Sequence, residues 1–312
     1  MSIFISIASY EDPTLTKTIK SALATADKPD DIVFGLGIQH SEMPDLSEFN
    51  QSQIRYMYWR PEDRPGLIRV RYLLTTLWQD EDYFLMTDSH MTFKPGWDTY
   101  LVDKIQSLGN KVVLMPQTPM GETEKFVNDQ HFKFISVKQC DVSLAENYGL
   151  WLAEYDVMPV PVDNNITVFE EVQETTSWRS GCIFTYGSFI SDVGFDRYSH
   201  TAHEEGYMSF RSFMRGWKTY QLNVDYIEHT PEDYYAANWV GKMDQRVVTT
   251  SKYEENLMTV RDMSMAFIYN DYSKYSLPSE KSPKEYWDAN GQGNYYDFIR
   301  SLADNDLFNN KW

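Results

Sequence analysis

The chain is poor in cysteine, in basic charge and in long apolar stretches. Cys140 and Cys182 are its only cysteines and lie far apart, so neither a disulfide framework nor a cysteine-built zinc site is indicated. Lysine and arginine total 28 against 46 aspartates and glutamates, a formal net charge of −18. Nucleic-acid binders usually carry a basic surplus, because phosphate contacts supply most of their non-specific affinity. The overall field here repels polyanions and anionic membranes, although a local basic groove is compatible with it. No apolar run approaches the ~20 residues needed to span a bilayer. Met1 leads into Ile3-Phe4-Ile5-Ser6-Ile7-Ala8 without a basic region or a small-residue cleavage pattern. A signal peptide is therefore not expected, and a cytoplasmic location is.

What the chain does have is core material. Hydrophobic residues make up 42% and aromatics 15% of 312 residues, enough for one large α/β domain with or without an extension. Strand-like and helix-like segments alternate through the first half. Ile3 to Ser9 reads as a strand and Thr14 to Thr25 as a helix entered through Asp12-Pro13, with proline where a missing N–H costs little. Strands are expected at Asp31–Gln39, Gln53–Trp59, Tyr83–Thr87 and Lys111–Pro116, and helices at Leu67–Trp78 and Trp97–Leu108. This order implies a mostly parallel sheet covered on both faces, with ligands beyond the carboxyl ends of its strands. Farther on, strands are expected near Phe132–Val137, Gly181–Ser188 and Lys218–Tyr226, with a helix near Glu204–Arg215. The Tyr-, Asn- and Asp-rich remainder reads as a helical extension, giving a catalytic domain over 1–250 and an extension over 251–312.

The segment Leu85-Met86-Thr87-Asp88-Ser89-His90 carries the sharpest chemistry. A carboxylate at a strand end and an imidazole two positions on project to one side of extended backbone. One oxygen and one nitrogen ligand suit a borderline ion such as Mn²⁺. The bland alternative has Asp88 capping a turn and His90 lying on the surface. Trp97 and Trp178 read as core or pocket wall, and Met86 and Met91 as core.

Neighbouring blocks sharpen this reading. Upstream stands Arg64-Pro65-Gly66-Leu67-Ile68-Arg69-Val70-Arg71, and downstream Met91-Thr92-Phe93-Lys94-Pro95-Gly96-Trp97-Asp98. With the opening Ile5-Ser6-Ile7-Ala8-Ser9-Tyr10-Glu11-Asp12-Pro13, this order resembles the GT-A domain of retaining glycosyltransferases. The nearer likeness is to family 60, which includes cytoplasmic transferases that add N-acetylglucosamine to hydroxyproline. A more distant one is to the polypeptide N-acetylgalactosaminyltransferases of family 27. The resemblance runs over roughly residues 3 to 235. It implies a Rossmann-like GT-A fold with a mixed, mostly parallel sheet, a UDP-sugar donor (UDP-N-acetylglucosamine foremost) and Mn²⁺ or Mg²⁺. It also implies that a late histidine completes the metal set. His229, at the end of Tyr226-Ile227-Glu228-His229, stands in that place, with His200 and His203 as competitors.

Other roles follow from the same likeness. Ala8, Ser9 and Tyr10 end the first strand, where a GT-A domain receives the nucleotide base, and Ser89 lies with the donor. Gly181 opens the small-residue strand that floors the sugar pocket. Glu204 and Glu205 resemble the acidic pair that opens a helix near sugar and acceptor, a position that a helix dipole favours for anions. Arg64, Arg69 and Arg71 could face the diphosphate, but Arg69 and Arg71 point apart on one helix, so one or two reach it; Arg64 and Arg69 are taken as the candidates. The expected acceptor is a protein hydroxyl. Rival readings are a hydroxylated base in DNA, a carbohydrate- or nucleotide-binding module without catalysis, and a hydrolase, which would call for a denser His/Asp cluster.

Overall fold

The structure is a computed structural model. It describes residues 1–63, 65–116, 118, 132–135, 158–161, 171–176, 178, 180–195, 204–230, 279–289 and 297. Its centre is an eight-stranded sheet of order β3-β2-β1-β4-β10-β6-β11-β9. Here β1 is Ile3–Tyr10, β2 Ile32–Gln39, β3 Ile54–Trp59, β4 Tyr83–Asp88, β6 Val112–Pro116, β9 Val172–Thr175, β10 Cys182–Tyr186 and β11 Lys218–Leu222. The pairs β1–β2, β1–β4, β2–β3 and β6–β11 are parallel. β10 runs antiparallel between β4 and β6, and β9 antiparallel to β11. The sheet is thus mixed and mostly parallel, as its alternating segments imply. Two short sheets stand apart: β5 (Met91–Phe93) with β12 (Ile227–His229), and β7 (Phe132–Ile135) with β8 (Met158–Pro161).

Side-chain alternation along the strands sorts the core into two layers. Ile3, Ile5 and Ile7 of β1, Phe34, Leu36 and Ile38 of β2 and Leu85 of β4 face one side. There they meet Leu15 and Ile19 of α1 (Leu15–Thr25) and Trp97, Leu101 and Ile105 of α3 (Trp97–Leu108). Phe4, Phe84 and Met86 face the other side, together with Ile183, Trp178, Phe189, Met208 and Trp217. Phe189 belongs to α4 (Ser188–Asp192) and Met208 to α5 (Glu204–Met214). Each fully buried large apolar side chain contributes about 1.5–3 kcal/mol relative to exposure.

On this second face the sequence turns small toward the strand ends. Ser6 pairs across from Gly35, and Ala8 stands between Gly37 on β2 and Asp88 on β4. The small residues let α2 (Leu67–Leu74) lie close on the sheet, entered through Gly66 at φ +83°, a backbone conformation that glycine adopts without penalty. A Cβ on Gly37 would stand 2.4 Å from Val70 Cγ1 and 3.3 Å from Leu74 Cδ1.

In the C-terminal segment, α6 (Pro283–Ala289) packs on α5: Tyr286 is buried edge-on against Phe210 and Phe213, at 5.3 and 5.4 Å between ring centroids. The Glu280 amide donates to the Met214 carbonyl at 2.8 Å. No helix among the described residues is long and apolar enough to cross a membrane.

The Gly37→Ala variant is expected to lose about 1–3 kcal/mol, the usual range for overpacking a filled core, because α2 must move off the sheet. Urea unfolding of the two proteins measures this, read as a lower midpoint at unchanged slope.

Candidate functional site

Two strand ends and one short hairpin-like pairing build the cluster. β4 delivers Asp88 beside Ala8 at the carboxyl edge of the parallel strands. The chain then turns through Ser89-His90 into β5, which pairs antiparallel with β12 so that His229 lies opposite Met91. The Thr230 amide and hydroxyl both donate to the His90 carbonyl, at 2.8 and 3.1 Å. This pairing carries a histidine from much later in the sequence to the side of His90. The two imidazoles lie 4.7 Å apart between ring centroids, and His229 Nε2 is 3.9 Å from Asp88 Oδ2. One ligand atom from each of Asp88, His90 and His229 falls within 4.8 Å of the other two. All three side chains are partly exposed, so a ligand can reach them from outside. A carboxylate oxygen and two imidazole nitrogens so placed are a donor set that Mn²⁺ and its neighbours accept.

Arg71 enters from α2. It is buried at 3% exposure; Nη2 donates to Asp88 Oδ1 at 3.1 Å, and Nη1 donates to Glu204 Oε2. Glu204, at the first position of α5, is buried as well. One guanidinium thus joins Asp88 to the carboxylate that opens α5. Gly181 lies against Asp88: its carbonyl accepts from the Asp88 amide at 3.3 Å, and a Cβ there would lie 3.5 Å from Asp88 Oδ2.

Beneath the Ser89-His90 turn lies a buried polar network. Asp12 Oδ2 accepts from His90 Nδ1 at 2.8 Å and from the Ser89 hydroxyl. Asp12 Oδ1 accepts from the Thr14 amide at 2.8 Å and the Thr14 hydroxyl at 2.6 Å. Burial alone would raise the Asp12 carboxyl, but the hydrogen bonds from His90, Ser89 and Thr14 outweigh it and hold the group below its usual range. Thr18 of α1 donates its hydroxyl to the Ser89 carbonyl at 2.8 Å and receives the Met91 amide at 3.0 Å. His40, just past β2, lies 2.8 Å through Nε2 from the Ser9 hydroxyl and accepts the Asp12 amide at 3.3 Å. Burial pushes the His40 imidazole below its ordinary value, against the opposing pull of Glu11 and Asp12.

The residues singled out from sequence divide clearly. Asp88, His90 and His229 come together, with Glu204 joined to Asp88 through Arg71. Ala8 and Tyr10 are half-buried at the end of β1. Ser9 and Ser89 are buried, and their hydroxyls are engaged by His40 and Asp12. Arg69 is exposed on α2, whereas Arg71 turns inward. Arg64, the side chain of Glu205, His200 and His203 lie outside the described residues.

Sequence reasoning passed over Asp12 and His40 and preferred Arg69 to Arg71. A signal for Arg71 was present: it lies three residues after Ile68 and three before Leu74, on the apolar stripe of its helix. Asp12 gave no such signal, because Asp12-Pro13-Thr14 reads as an ordinary turn into a helix.

A mixed, mostly parallel eight-stranded sheet with helices on both faces, ordered as here, is the GT-A glycosyltransferase fold. Solved structures share it. GalNAc-T7 with UDP, GalNAc and Mn²⁺ superposes at a TM-score of 0.58 with 14% identity, over 98% of this chain and 57% of that one. S. aureus TarS 1-349 superposes at 0.51 with 12% identity, over 98% and 74%. Its complex with UDP-GlcNAc gives 0.52 and 12%, over 98% and 75%. The chain therefore spans little more than half the length of the GalNAc-T7 chain. No curated protein sequence matches it. The family described as Glycosyltransferase (GlcNAc) matches residues 42–289, and the chain belongs to that family.

Arg71→Ala leaves Glu204 buried without its guanidinium and is expected to destabilise the fold by about 3–5 kcal/mol, the scale for breaking one side of a buried ion pair. Denaturant titration reads this, and Glu204→Gln in the same background should recover part of the loss. His40 sets a second expectation. Unfolded, it takes a proton near pH 6.5, whereas the folded chain resists protonation until lower pH. Acidification from pH 7 toward 5 thus favours unfolding, and His40→Gln should flatten that stretch of the stability–pH curve.

Proposed function

We propose that the chain is a metal-dependent retaining glycosyltransferase. It would move N-acetylglucosamine from UDP-N-acetylglucosamine to a hydroxyl on a protein, in the manner of the family 60 hydroxyproline transferases. The observation that carries this reading is the convergence of Asp88 and His90 with His229, which lies far from both in sequence, within 4.8 Å on the carboxyl edge of a GT-A sheet. The family match and the Mn²⁺ and UDP named with the GalNAc-T7 structure support it. So does the UDP-GlcNAc named with TarS.

The donor set fits a borderline divalent cation, and such an ion held there would neutralise the diphosphate as it becomes the leaving group. The protein's own residues have distinct tasks. Ala8 and Tyr10 at the end of β1, with Ser9 between them bonded to His40, would receive the nucleotide base. Arg69 on α2, and Arg64 before it in sequence, are candidates to meet the phosphates; Arg71 serves instead as the internal cation that fixes Asp88 and Glu204. Gly181 leaves the space beside Asp88 into which the sugar is admitted. Glu204, held by Arg71, and Glu205 after it orient sugar and acceptor hydroxyls and stabilise positive charge at the anomeric carbon by preorganised electrostatics. The acceptor hydroxyl attacks on the face the diphosphate leaves and passes its proton to a phosphate oxygen, so no strong protein base is needed. The net charge of −18 speaks against a nucleic-acid acceptor. We place the enzyme in the cytoplasm and divide it into a transferase domain over 1–250 and a packed extension over 251–312.

UDP release from UDP-N-acetylglucosamine with Mn²⁺ present tests the reading. Asp88→Ala and His229→Ala should each lower turnover by about a hundredfold or more, the scale of losing one preorganised charge-stabilising group. Near-normal rates in both would remove the metal assignment. A panel of nucleotide sugars in the same assay reads the donor, and failure to turn over any UDP-sugar would remove the transferase reading itself.

A further inference from the structure

Asp12 lies one layer behind the ligand cluster and has no place in it. Its side chain is fully buried, and its two oxygens are divided between two tasks. Oδ1 serves the chain's own turn through Thr14. Oδ2 serves the loop between the ligands, receiving His90 Nδ1 at 2.8 Å and the Ser89 hydroxyl. The chain is brought into this position by an unusual backbone: Glu11, a non-glycine residue, sits at φ +48°. That conformation is held by the Glu11 amide on the Gln39 carbonyl at 3.0 Å and by the Glu11 carboxylate on the Ser41 amide. Left-handed backbone at a residue with a side chain persists where its surroundings over-determine it. Here its effect is to turn Asp12 inward beneath His90.

We propose that Asp12 is a positioning residue that fixes the ring of His90 with its proton on Nδ1, so that Nε2 presents the lone pair to a cation. This rests on the ion-cage reading of Asp88, His90 and His229. A neutral imidazole has one N–H and one lone pair, and a carboxylate acceptor selects which nitrogen carries the proton. The same hydrogen bond aligns the ring plane and raises the basicity of the opposite nitrogen, as carboxylate–imidazole pairs behind metal ligands do. Ser89, donating to the same oxygen while its carbonyl is held by Thr18, prevents the turn from rotating away. Asp12, Ser89 and Thr18 thereby bind the orientation of His90 to α1.

The test uses the full chain and has a readout independent of turnover. Long-range ¹H–¹⁵N correlation spectra of the metal-free protein, with His90 identified through the His90→Gln variant, should show the His90 proton on Nδ1. A proton on Nε2 overturns the proposal. Calorimetric titration with Mn²⁺ alone provides the second arm. Asp12→Asn keeps an acceptor for Thr14 but presents a neutral amide to His90. It should weaken Mn²⁺ by about 10–100-fold and shift His90 toward the other tautomer, while Asp88→Ala loses binding. If Asp88→Ala loses Mn²⁺ but Asp12→Asn binds it as the wild type does, the positioning role is overturned and the ion cage stands. If Asp88→Ala itself binds Mn²⁺ as the wild type does, the cage falls and the proposal with it. Should Asp12→Asn fail to fold, the tautomer in the wild-type spectrum decides alone.

Discussion

The guanidinium of Arg71 is the point on which the site depends. A buried cation must be paired, because removing it from water costs several kcal/mol that only close anions return. Asp88 and Glu204 are those anions. Satisfying them ties α2, the end of β4 and the start of α5 into one unit, although they lie far apart in the chain. The cost of approach is met by subtraction: Ser6, Ala8, Gly35 and Gly37 remove side-chain volume from the sheet face that α2 covers. A larger residue at Gly37 would act on Asp88 indirectly, by lifting the helix that carries its partner.

The imidazoles are arranged by a second device, a short strand pairing and a buried carboxylate joined by hydrogen bonds. β5 and β12 form a pairing too short to be stable alone. It is secured at His90 by Thr230 and at Lys94 by the carbonyl of Tyr226, 2.9 Å from the Lys94 amide. α1 secures the other side of the turn through Thr14 and Thr18. The Ser89-His90 turn is therefore held from both sides by hydrogen bonds, with ion pairs from Lys94 to Asp225 and Glu228 reinforcing the β5–β12 side, and the carboxylate beneath it, Asp12, is surrounded by donors. A polar network pays its way in a low-dielectric interior when every member is satisfied, and the Asp12 carboxylate meets that condition with four donors from Thr14, Ser89 and His90.

Much of this was legible in the sequence, for identifiable reasons. β1, β2, β4 and β6 are short β-branched or apolar runs, and α1 and α3 carry their apolar residues at helical spacing, so local pattern and tertiary role agree. Asp88 and His90 were legible as a pair because they stand two positions apart, although it is the turn after β4, not strand alternation, that sets His90 beside Asp88. His229 required the resemblance, since nothing local connects it to His90; the β5–β12 register that does so is a long-range fact. The antiparallel place of β10 between β4 and β6 was hidden for the same reason: Cys182–Tyr186 is apolar and short whichever way it runs. Arg71 and Arg69 differ by two positions, about 200° around a helix, and only the flanking Ile68 and Leu74 tell which of them turns inward. The inward aim of Asp12 depends on a left-handed Glu11, for which a glutamate gives no warning.

The charge balance of the assembled site bears on why it would take a cation before a donor. Among the described residues, a second carboxylate, Glu204, and a third behind His90, Asp12, stand around the Asp88 carboxylate against the guanidinium of Arg71. His90 Nδ1 lies against Asp12, and His229 Nε2 faces Asp88. A diphosphate arriving at this surface meets an excess of negative charge, and at separations of a few ångströms that repulsion is worth kilocalories in a partly desolvated cleft. Arg71 cannot offset it, being already bound on both sides by protein carboxylates. The arginine thus belongs to the architecture rather than to the donor, and under the proposed function favourable donor electrostatics would fall to a cation at Asp88, His90 and His229 together with Arg69, exposed on α2. That division accounts for a fold in which a strongly acidic chain is proposed to recognise an anionic substrate.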